Sequence, residues 1–240
     1  MADNPERRRF VRMAAGLALN VGAQLLGIST AHAAQTVDCP IYMFHGIATG
    51  GGAVDRIIRA NINRKSVSVG QLTKIIQGEA EVPDKPLFCL TFDDGLLSQY
   101  QHAKPVLDRY QVEATFFVMG GIMDGTWTGD GVHPYMNKKQ VQAMAEEGYE
   151  FGSHSVDHDD LVRIQYSGDY TRVSDEIYHS KDKLEAAIEQ EIISFSYPNG
   201  SYTSFTRQLV IEAGYQAAVS VNSGRIQNEN LMYSLRRTRV

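Results

Sequence analysis

The sequence predicts an α/β protein in which a parallel sheet or barrel is covered by helices. Short apolar runs of four to six residues alternate with segments whose apolar residues recur at helical spacing. Several short runs are apolar at every position, as strands buried on both faces require. No repeat, low-complexity tract or linker divides the chain after residue 33. These observations predict a single domain over residues 34–240.

Residues 1–33 carry the pattern of a secretory signal peptide. The basic pair Arg7-Arg8 precedes a mildly apolar run over residues 13–28, and Ala-His-Ala at 31–33 provides a cleavage signal. The arginine pair resembles a twin-arginine export signal. The alternative is a membrane anchor, but the run is shorter than the roughly 20 apolar residues of a span, and no later segment is long and apolar enough. The protein is expected to be periplasmic or secreted.

The composition narrows the class of protein. Hydrophobic residues make up 43% and charged residues 21%, which excludes fibrous and strongly charged disordered chains. The net charge is −5, and it becomes −7 once residues 1–33 are removed, which argues against nucleic acid as a partner. Two cysteines exclude a disulfide scaffold. Cys39 and Cys89 are expected to be buried thiols, with a bridge as the alternative.

The strands are predicted from the short apolar runs. They cover residues 41–45, 87–92, 114–119, 150–153, 193–197 and 217–221. Later helices are predicted from capping residues. Asn137 and Gln140 form a capping-box-like start, Ser174 caps a second helix, and a third over residues 203–213 ends at Gly214.

Polar side chains follow three of the predicted strands. Asp93 and Asp94 follow the second, His154 and His158 follow the fourth, and the segment 197–200 follows the fifth. Because the carboxyl ends of parallel strands share one rim, these side chains are expected to meet.

The residue types at this rim favour a catalytic metal site. Adjacent side chains diverge as they leave a strand, so one of the two carboxylates can bind a cation while the other takes a proton. Asp94, His154 and His158 make three ligands suited to Zn²⁺, Co²⁺ or Ni²⁺. Three protein ligands leave coordination positions open for water and substrate. Taken singly, the motifs also fit an exposed turn and a polar loop with solvated histidines. Their shared rim favours the metal site.

Three motifs, in this order, resemble those of a known family. TFDDG at 91–95, SHSVDH at 153–158 and FSYPNG at 195–200 are similar to the first three motifs of the polysaccharide deacetylases, carbohydrate esterase family 4. The resemblance extends from about Ile41 to the end of the chain. It implies a distorted (β/α) barrel that hydrolyses N-acetyl groups of a polysaccharide containing N-acetylglucosamine.

The resemblance also implies roles for individual residues. Asp93 matches the general base, and the backbone N–H of Asn199 matches a group that holds the oxyanion. Tyr197 and Pro198 match residues that shape the wall of the substrate groove. Three positions match the family's ligands for one divalent metal, most simply Zn²⁺: Asp94, His154 and His158. Outside these motifs, Trp127 lies in a glycine-rich loop and is suited either to stacking on a sugar ring or to anchoring the loop.

The chain departs from the family pattern in two places. Ser196 stands where many relatives carry an arginine that orients the base, as in the branch acting on bacterial exopolysaccharides, so Asp93 is expected to be held less firmly as an anion. No histidine follows His179, so the general acid is unassigned, with His45 and His133 as candidates. The basic end, with arginines at 236, 237 and 239, is expected to be a solvated strand edge, with contact to an anionic glycan as the alternative.

Two other functions stay open at this point. One is hydrolysis of another carbon–nitrogen bond, such as that of a small amide or cyclic imide, at the same site. The other is a non-catalytic glycan-binding protein that keeps the fold without a general acid. The sequence makes no prediction of oligomeric state.

Overall fold

The computed structural model describes residues 35–240, so the predicted signal peptide and its cleavage site lie outside the described residues. The strands are β1 (Val37–Asp38), β2 (Ile41–Phe44), β3 (Lys65–Ser66), β4 (Leu87–Phe92), β5 (Thr115–Val118), β6 (Glu150–Ser153), β7 (Ser194–Ser196), β8 (Ala217–Val219), β9 (Ile226–Gln227) and β10 (Thr238–Arg239). The helices are α1 (Gly52–Ala60), α2 (Val69–Ile76), α3 (Lys104–Tyr110), α4 (Gly120–Asp124), α5 (Lys138–Glu146), α6 (Leu161–Tyr166), α7 (Tyr170–Ile188) and α8 (Ser204–Glu212).

A curled parallel sheet forms the centre of the fold. Its strand order is β10-β2-β4-β5-β6-β7-β8, and β3 pairs with the start of β4. Leu235 pairs with β8 through hydrogen bonds from Ser220 N–H and to Ala218 O, and β10 then pairs with β2. The last segment of the chain therefore joins the two edges of the sheet. The predicted α/β barrel is confirmed, with a distorted closure.

Side chains that alternate along β4 separate two buried clusters. Phe88, Leu90 and Phe92 belong to the larger cluster, which includes residues from most of the covering helices. Leu87 and Cys89 belong to the smaller cluster with residues of β2, β8 and α2. Alternation of side chains along a strand produces this separation. By the same alternation, Asp93 lies on the side of β4 that faces the smaller cluster, together with Leu87, Cys89 and Thr91.

Helix α2 packs at the end of the barrel opposite the strand ends that carry the polar motifs. Glu150, the first residue of β6, accepts hydrogen bonds from Gly70 N–H at 2.9 Å and from the hydroxyls of Ser68 and Thr115. Its carboxylate therefore caps the N-terminus of α2, where the helix dipole favours a negative charge.

The predicted strands and helices are all present, four strands are shorter than predicted by one or two residues, and the predicted start of α7 is wrong. Asn137 forms the N-terminal capping box of α5, as expected. Thr203 forms another at α8, which lies within the predicted range 203–213. The prediction that Ser174 caps a helix is wrong, because α7 begins at Tyr170 with Asp169 as its N-cap. Ser174 lies inside the helix, and its hydroxyl donates to Tyr170 O at 3.1 Å. Asp and Ser both suit an N-cap, and the spacing of the apolar residues did not distinguish them.

Both thiols are free and buried, so the expectation of buried thiols is confirmed. Cys89 lies in β4 opposite Ile41, and burial raises the pKa of Cys39 to about 12. Among the helices of residues 35–240, none combines the length and apolarity that crossing a bilayer requires.

Candidate active site

The three predicted ligands lie together at the carboxyl ends of β4 and β6. Asp94 Oδ1 is 3.2 Å from His154 Nε2 and 3.4 Å from His158 Nε2. The two imidazole rings approach edge to face, with 4.8 Å between their centroids. Donor atoms of all three residues lie within 4.8 Å of one another. The structure thus brings together the ligands that the sequence places on separate motifs.

The donor atoms fit a divalent cation. Asp94 Oδ1 is buried and accepts no hydrogen bond, which is costly for a carboxylate unless a cation is bound to it. His154 Nδ1 is 2.8 Å from the backbone oxygen of Ser196, an acceptor that fixes the proton on Nδ1 and leaves Nε2 free to coordinate. One carboxylate and two imidazoles form a ligand set of the kind that zinc takes in catalytic sites.

The backbone at the site adopts strained conformations. Within residues 35–240, six residues other than glycine have positive φ angles, and four of them belong to these motifs. Such angles are sparsely populated and persist where surrounding structure holds them, often at functional sites. The four are Asp94 (74°), Ser155 (64°), His158 (60°) and Asn199 (57°).

Asp93 points away from its neighbour and into the barrel, where it forms an ion pair with Arg237. The guanidinium donates from Nη1 to Asp93 Oδ1 and from Nη2 to Oδ2, each at 2.7 Å. It also donates to the backbone oxygen of Ser220 and to the hydroxyls of Thr91 and Ser196. Both charged side chains are at most 2% exposed. The divergence expected for the two aspartates is therefore observed.

Two expectations about these residues are wrong. Arg237 is not on a solvated strand edge, because its side chain points inward while those of Arg236 and Arg239 are exposed. The expectation that Asp93 is held less firmly as an anion is also wrong. Arg237 supplies the guanidinium that the third motif lacks, and Ser196 Oγ donates a further hydrogen bond to Asp93 at 3.2 Å. Burial alone raises the pKa of the Asp93 carboxyl, but Arg237 and His154 bring it below its usual range.

The two candidate acids occupy different places. His45 follows β2, whose residue Phe44 pairs with Phe92, so His45 lies beside Asp93 at the rim. Gln99 joins these ends, because its side-chain amide donates to the backbone oxygens of both His45 and Asp93. His45 also acts electrostatically on the pKa of Asp93. His133 is exposed and lies 2.7 Å from Asp130 in the glycine-rich loop.

Helix α7 holds the loop between His154 and His158. Glu176 Oε2 accepts the backbone N–H groups of Val156 and Asp157, each at 3.0 Å. Ser180 Oγ donates to the backbone oxygen of Ser155 at 2.7 Å. Burial raises the pKa of Glu176, and its hydrogen bonds oppose that shift. These contacts position a loop in which Ser155 and His158 have positive φ angles.

The third motif forms a turn beside the ligands. Asn199 is exposed and left-handed in the turn Pro198–Gly200, and its predicted oxyanion role stays a prediction. Pro198 is buried. The ring of Tyr197 is 1% exposed, and its hydroxyl donates to Tyr233 O, so it offers little surface to a substrate. It supports Tyr202, which stacks on it at a centroid distance of 4.8 Å.

Trp127 lies at the edge of the site, in the loop after α4. Its backbone N–H donates to Gly121 O, and its ring packs edge to face on Tyr135 with 4.8 Å between the centroids. The loop is held against the segment after Asp94, because Met136 N–H donates to Gly95 O at 2.9 Å. Sugar stacking by Trp127 stays a prediction.

The sequence did not identify Arg237, Gln99 or Glu176 as parts of the site. Arg237 is one of three arginines in the terminal run, and only pairing with β2 and β8 shows which of them points inward. Gln99 and Glu176 lie in helical segments where a polar side chain usually faces solvent. The one signal in the sequence is that Leu235 and Arg237 are two residues apart, as on one face of a strand. The run is too short for this alternation to predict a strand.

Comparison with known proteins assigns the family. Residues 80–218 match the polysaccharide deacetylase family. YxkH of Bacillus subtilis, a polysaccharide deacetylase by name, is 27% identical over 84% of this chain and 71% of its own length. A peptidoglycan-N-acetylglucosamine deacetylase of Bacillus cereus is 28% identical over 58% of this chain and 59% of its own.

Solved structures agree with this assignment. The Streptococcus pyogenes deacetylase PplD, solved in complex with acetate, is 25% identical with a TM-score of 0.71, covering 87% of this chain and 93% of its own. IcaB from Ammonifex degensii, at 19% identity and a TM-score of 0.73, shares the fold over 84% of this chain and 91% of its own. With its three motifs assembled at one rim of the barrel, this chain belongs to the polysaccharide deacetylase family.

Proposed function

We propose that this protein is a metal-dependent hydrolase that removes N-acetyl groups from a polysaccharide containing N-acetylglucosamine and releases acetate. The observation that carries the proposal is the pairing of two carboxylates with different environments. Asp93 is buried as an anion against Arg237, and Asp94 faces the two imidazoles. One carboxylate is thus arranged to take a proton and the other to bind a cation.

The residues of the site divide the reaction among them. Asp94, His154 and His158 would hold a divalent ion, most simply Zn²⁺, which would supply a Lewis acid for the acetamide carbonyl and lower the pKa of water. Asp93 accepts the proton of the attacking water because Arg237 holds it ionised and oriented. The Asn199 N–H lies in the turn beside the site and is assigned to the developing oxyanion. Breaking the carbon–nitrogen bond leaves acetate and an amine.

The departing amine needs a proton, and His45 is the better placed of the two candidates. It follows β2 next to Asp93, whereas His133 is exposed and paired with Asp130. We expect His45→Gln to lower kcat for acetate release by about 10²- to 10⁴-fold, the range of general acid catalysis. His133→Gln is the matched control and is expected to keep near-normal kcat. Equal effects of the two variants would contradict the assignment of His45.

Acetate release tests the whole proposal. Residues 34–240 are incubated with N-acetylglucosamine oligomers and with poly-N-acetylglucosamine, before and after chelation and with zinc or cobalt restored. We expect release that chelation abolishes, that metal restores and that Asp93→Asn loses. A folded, metal-loaded protein that releases no acetate would refute deacetylation of these glycans. Release from small amides or cyclic imides alone would instead establish the other hydrolase, and glycan binding without turnover would establish a binding protein.

Export is part of the proposal. The arginine pair and the cleavage signal within residues 1–33 support a periplasmic or secreted location, where cell-wall and extracellular glycans are found. Changing Arg7-Arg8 to a lysine pair is expected to keep the full-length precursor in the cytoplasm. Normal export of that variant, measured by cell fractionation, would contradict the twin-arginine route.

A further inference from the structure

Several exposed or partly exposed aromatic side chains belong to the segments that follow β6 and β7. Within residues 35–240, Tyr166 and Tyr170 are the only exposed aromatic residues, with 78% and 54% of their surface accessible. The ring of Tyr170 packs edge to face on Phe205, with 5.3 Å between their centroids. Tyr202 is partly exposed and precedes the same helix, α8. We call Tyr166, Tyr170, Tyr202 and Phe205 the outer aromatic surface.

The topology places this surface on the rim that carries the site. Helix α6 and the start of α7 follow β6 and the histidine loop, and Tyr202 and Phe205 follow β7 and Asn199. In a barrel of parallel strands, the segments that leave the strands and the N-termini of the helices after them lie at the catalytic end. Tyr170 is the first residue of α7, which then runs back toward the start of β7. The outer aromatic surface therefore continues the rim outward from His158 and Asn199.

Contacts hold Tyr202 and the helices that carry the other rings, and they connect Tyr202 to the third motif. Thr203 Oγ1 donates to Gln165 Oε1 at 2.7 Å and connects the N-cap of α8 to α6. The Tyr202 ring stacks on Tyr197 of the third motif, and its hydroxyl accepts a hydrogen bond from Asn222 Nδ2 at 3.2 Å. Rings held in this way lose little freedom when a ligand binds.

The chemistry of the surface fits an uncharged sugar chain. Tyrosine offers a flat apolar face with a hydroxyl at its edge, which suits a ligand that alternates C–H faces with hydroxyl groups. The acidic side chains nearby are already engaged: Asp160 and Asp169 cap α6 and α7, and Asp159 pairs with Arg172. No charge in the outer aromatic surface itself selects a charged ligand.

We propose that the outer aromatic surface binds sugar units of the polymeric substrate beyond the unit that is deacetylated, so that the enzyme favours long chains. This inference rests on the proposed deacetylase function. A single sugar at the metal site leaves the exposed faces of these rings without a ligand, whereas a polymer that extends from the site toward β6 and β7 passes over them. The surface would thus determine specificity for chain length.

The chain-length dependence of kcat/KM tests this inference. Acetate release is measured on N-acetylglucosamine oligomers of two to six units. Tyr166→Ala combined with Tyr170→Ala is expected to lower kcat/KM for the hexamer by about 2- to 10-fold for each ring, on the scale of aromatic contacts. The dimer is expected to react as in wild type. The corresponding change of both residues to Phe should retain the hexamer rate, and Ile62→Ala controls for loss of an exposed apolar side chain elsewhere.

Binding without turnover separates this inference from the proposed function. The dissociation constant for the hexamer is measured by calorimetry in chelator, for wild type and for the double alanine variant. Weaker binding by the variant supports the surface even if no acetate is ever released. Equal dissociation constants, or an equal fall in kcat/KM for dimer and hexamer, would overturn the proposal. So would a change in the molecular mass of the double variant in sedimentation, which would identify the surface as a contact between copies of the chain.

Discussion

The charge of Asp93 depends on a residue 144 positions later in the chain. A carboxylate buried in the barrel is unfavourable on its own, because burial penalises the ionised form. Arg237 compensates with two parallel hydrogen bonds, a geometry that arginine provides and lysine does not. Ser196 adds a neutral hydrogen bond to the same carboxylate. Asp93, the proposed base, therefore remains ionised without an arginine in the third motif.

Removing Arg237 is expected to destabilise the fold. Arg237→Met leaves an unpaired buried carboxylate, and breaking a buried pair costs about 3–5 kcal/mol. Urea denaturation measures the free energy of unfolding, with exposed Arg236→Met as the matched control. Combining Arg237→Met with Asp93→Asn should recover part of the loss because no charge is left unpaired. A loss below about 1 kcal/mol in the single variant would show that the pair behaves like an exposed one.

The same pair predicts a pH dependence. Because the pKa of Asp93 is lowered in the folded state, its stabilising contribution is complete above the unfolded pKa of about 3.9 and is lost as the pH falls through the folded value. Without the guanidinium the pKa of Asp93 rises. The acid limb of kcat/KM in Arg237→Met should therefore lie at higher pH than in wild type. An acid limb at the same pH in Arg237→Met and in wild type would show that Arg237 does not control the ionisation of Asp93.

At the scale of elements, α7 acts as a support for the histidine loop. A loop with positive φ angles at Ser155 and His158 needs external contacts to keep its conformation. Glu176 and Ser180 provide them from adjacent turns of α7. Helix α4 contributes as well, since Gly120 N–H donates to Ser155 O at 2.9 Å. The predicted metal ligands His154 and His158 are thus held by helices as well as by the strand that precedes them.

Changing Glu176 is expected to weaken metal binding. Glu176→Gln removes the anionic acceptor of two loop amides, and residues that support metal ligands typically contribute 10- to 100-fold, so a loss of about that size in zinc affinity is expected. Competition with a chromophoric chelator measures the affinity. Asp175→Asn removes the same charge from an exposed position on the same helix and should leave zinc affinity unchanged. Equal affinities of the Glu176 variant and wild type would show that the loop keeps its conformation without Glu176.

The contact between α4 and α7 leaves no room for a side chain at Gly120. A Cβ atom there would lie 2.8 Å from Ser180 Cα, so the backbones must move apart. Gly120→Ala is expected to lower the free energy of unfolding by about 1–3 kcal/mol, as overpacking does. Gly52→Ala is the control, because Gly52 also begins a helix and its nearest contact is a flexible arginine at 3.8 Å. Thermal unfolding that is equal for the two variants would contradict the close packing.

At the scale of the whole molecule, the end of the chain completes both the barrel and the site. Segment 235–239 pairs with β8 on one side and β2 on the other, and this pairing orients Arg237 toward Asp93. The ligands come from β4 and from the loop after β6, so the site exists only in the closed barrel. Folding and metal binding are therefore expected to be coupled.

Zinc is expected to raise the melting temperature of residues 34–240. A ligand that binds only the folded state adds about 2.7 kcal/mol at 100 times its dissociation constant. The rise should disappear in His154→Ala and in His158→Ala, which lack a ligand. Calorimetric scans with and without zinc measure the effect, and magnesium serves as a control ion that prefers oxygen ligands. Stoichiometric zinc retained by either histidine variant would refute the ligand assignment.

The sequence by itself determined the features that depend on local order. Alternating apolar runs and helical periods determined the α/β class, and polar residues placed just after strands determined which side chains meet at the rim. The capping residues Asn137 and Gln140 determined where α5 begins. These features could be predicted because each depends on neighbours in sequence and on the rule that parallel strands end at one edge.

The tertiary structure alone decided which distant residues complete the site. Arg236, Arg237 and Arg239 look alike in sequence, and closure of the barrel turns only Arg237 inward. Glu176 and His45 likewise gain their places from packing between elements. Their partners lie 19 or more residues away, so no local spacing contains the information. The charge of Asp93 and the support of the metal ligands are set by the fold because a buried ion takes its partner from whatever element packs beside it.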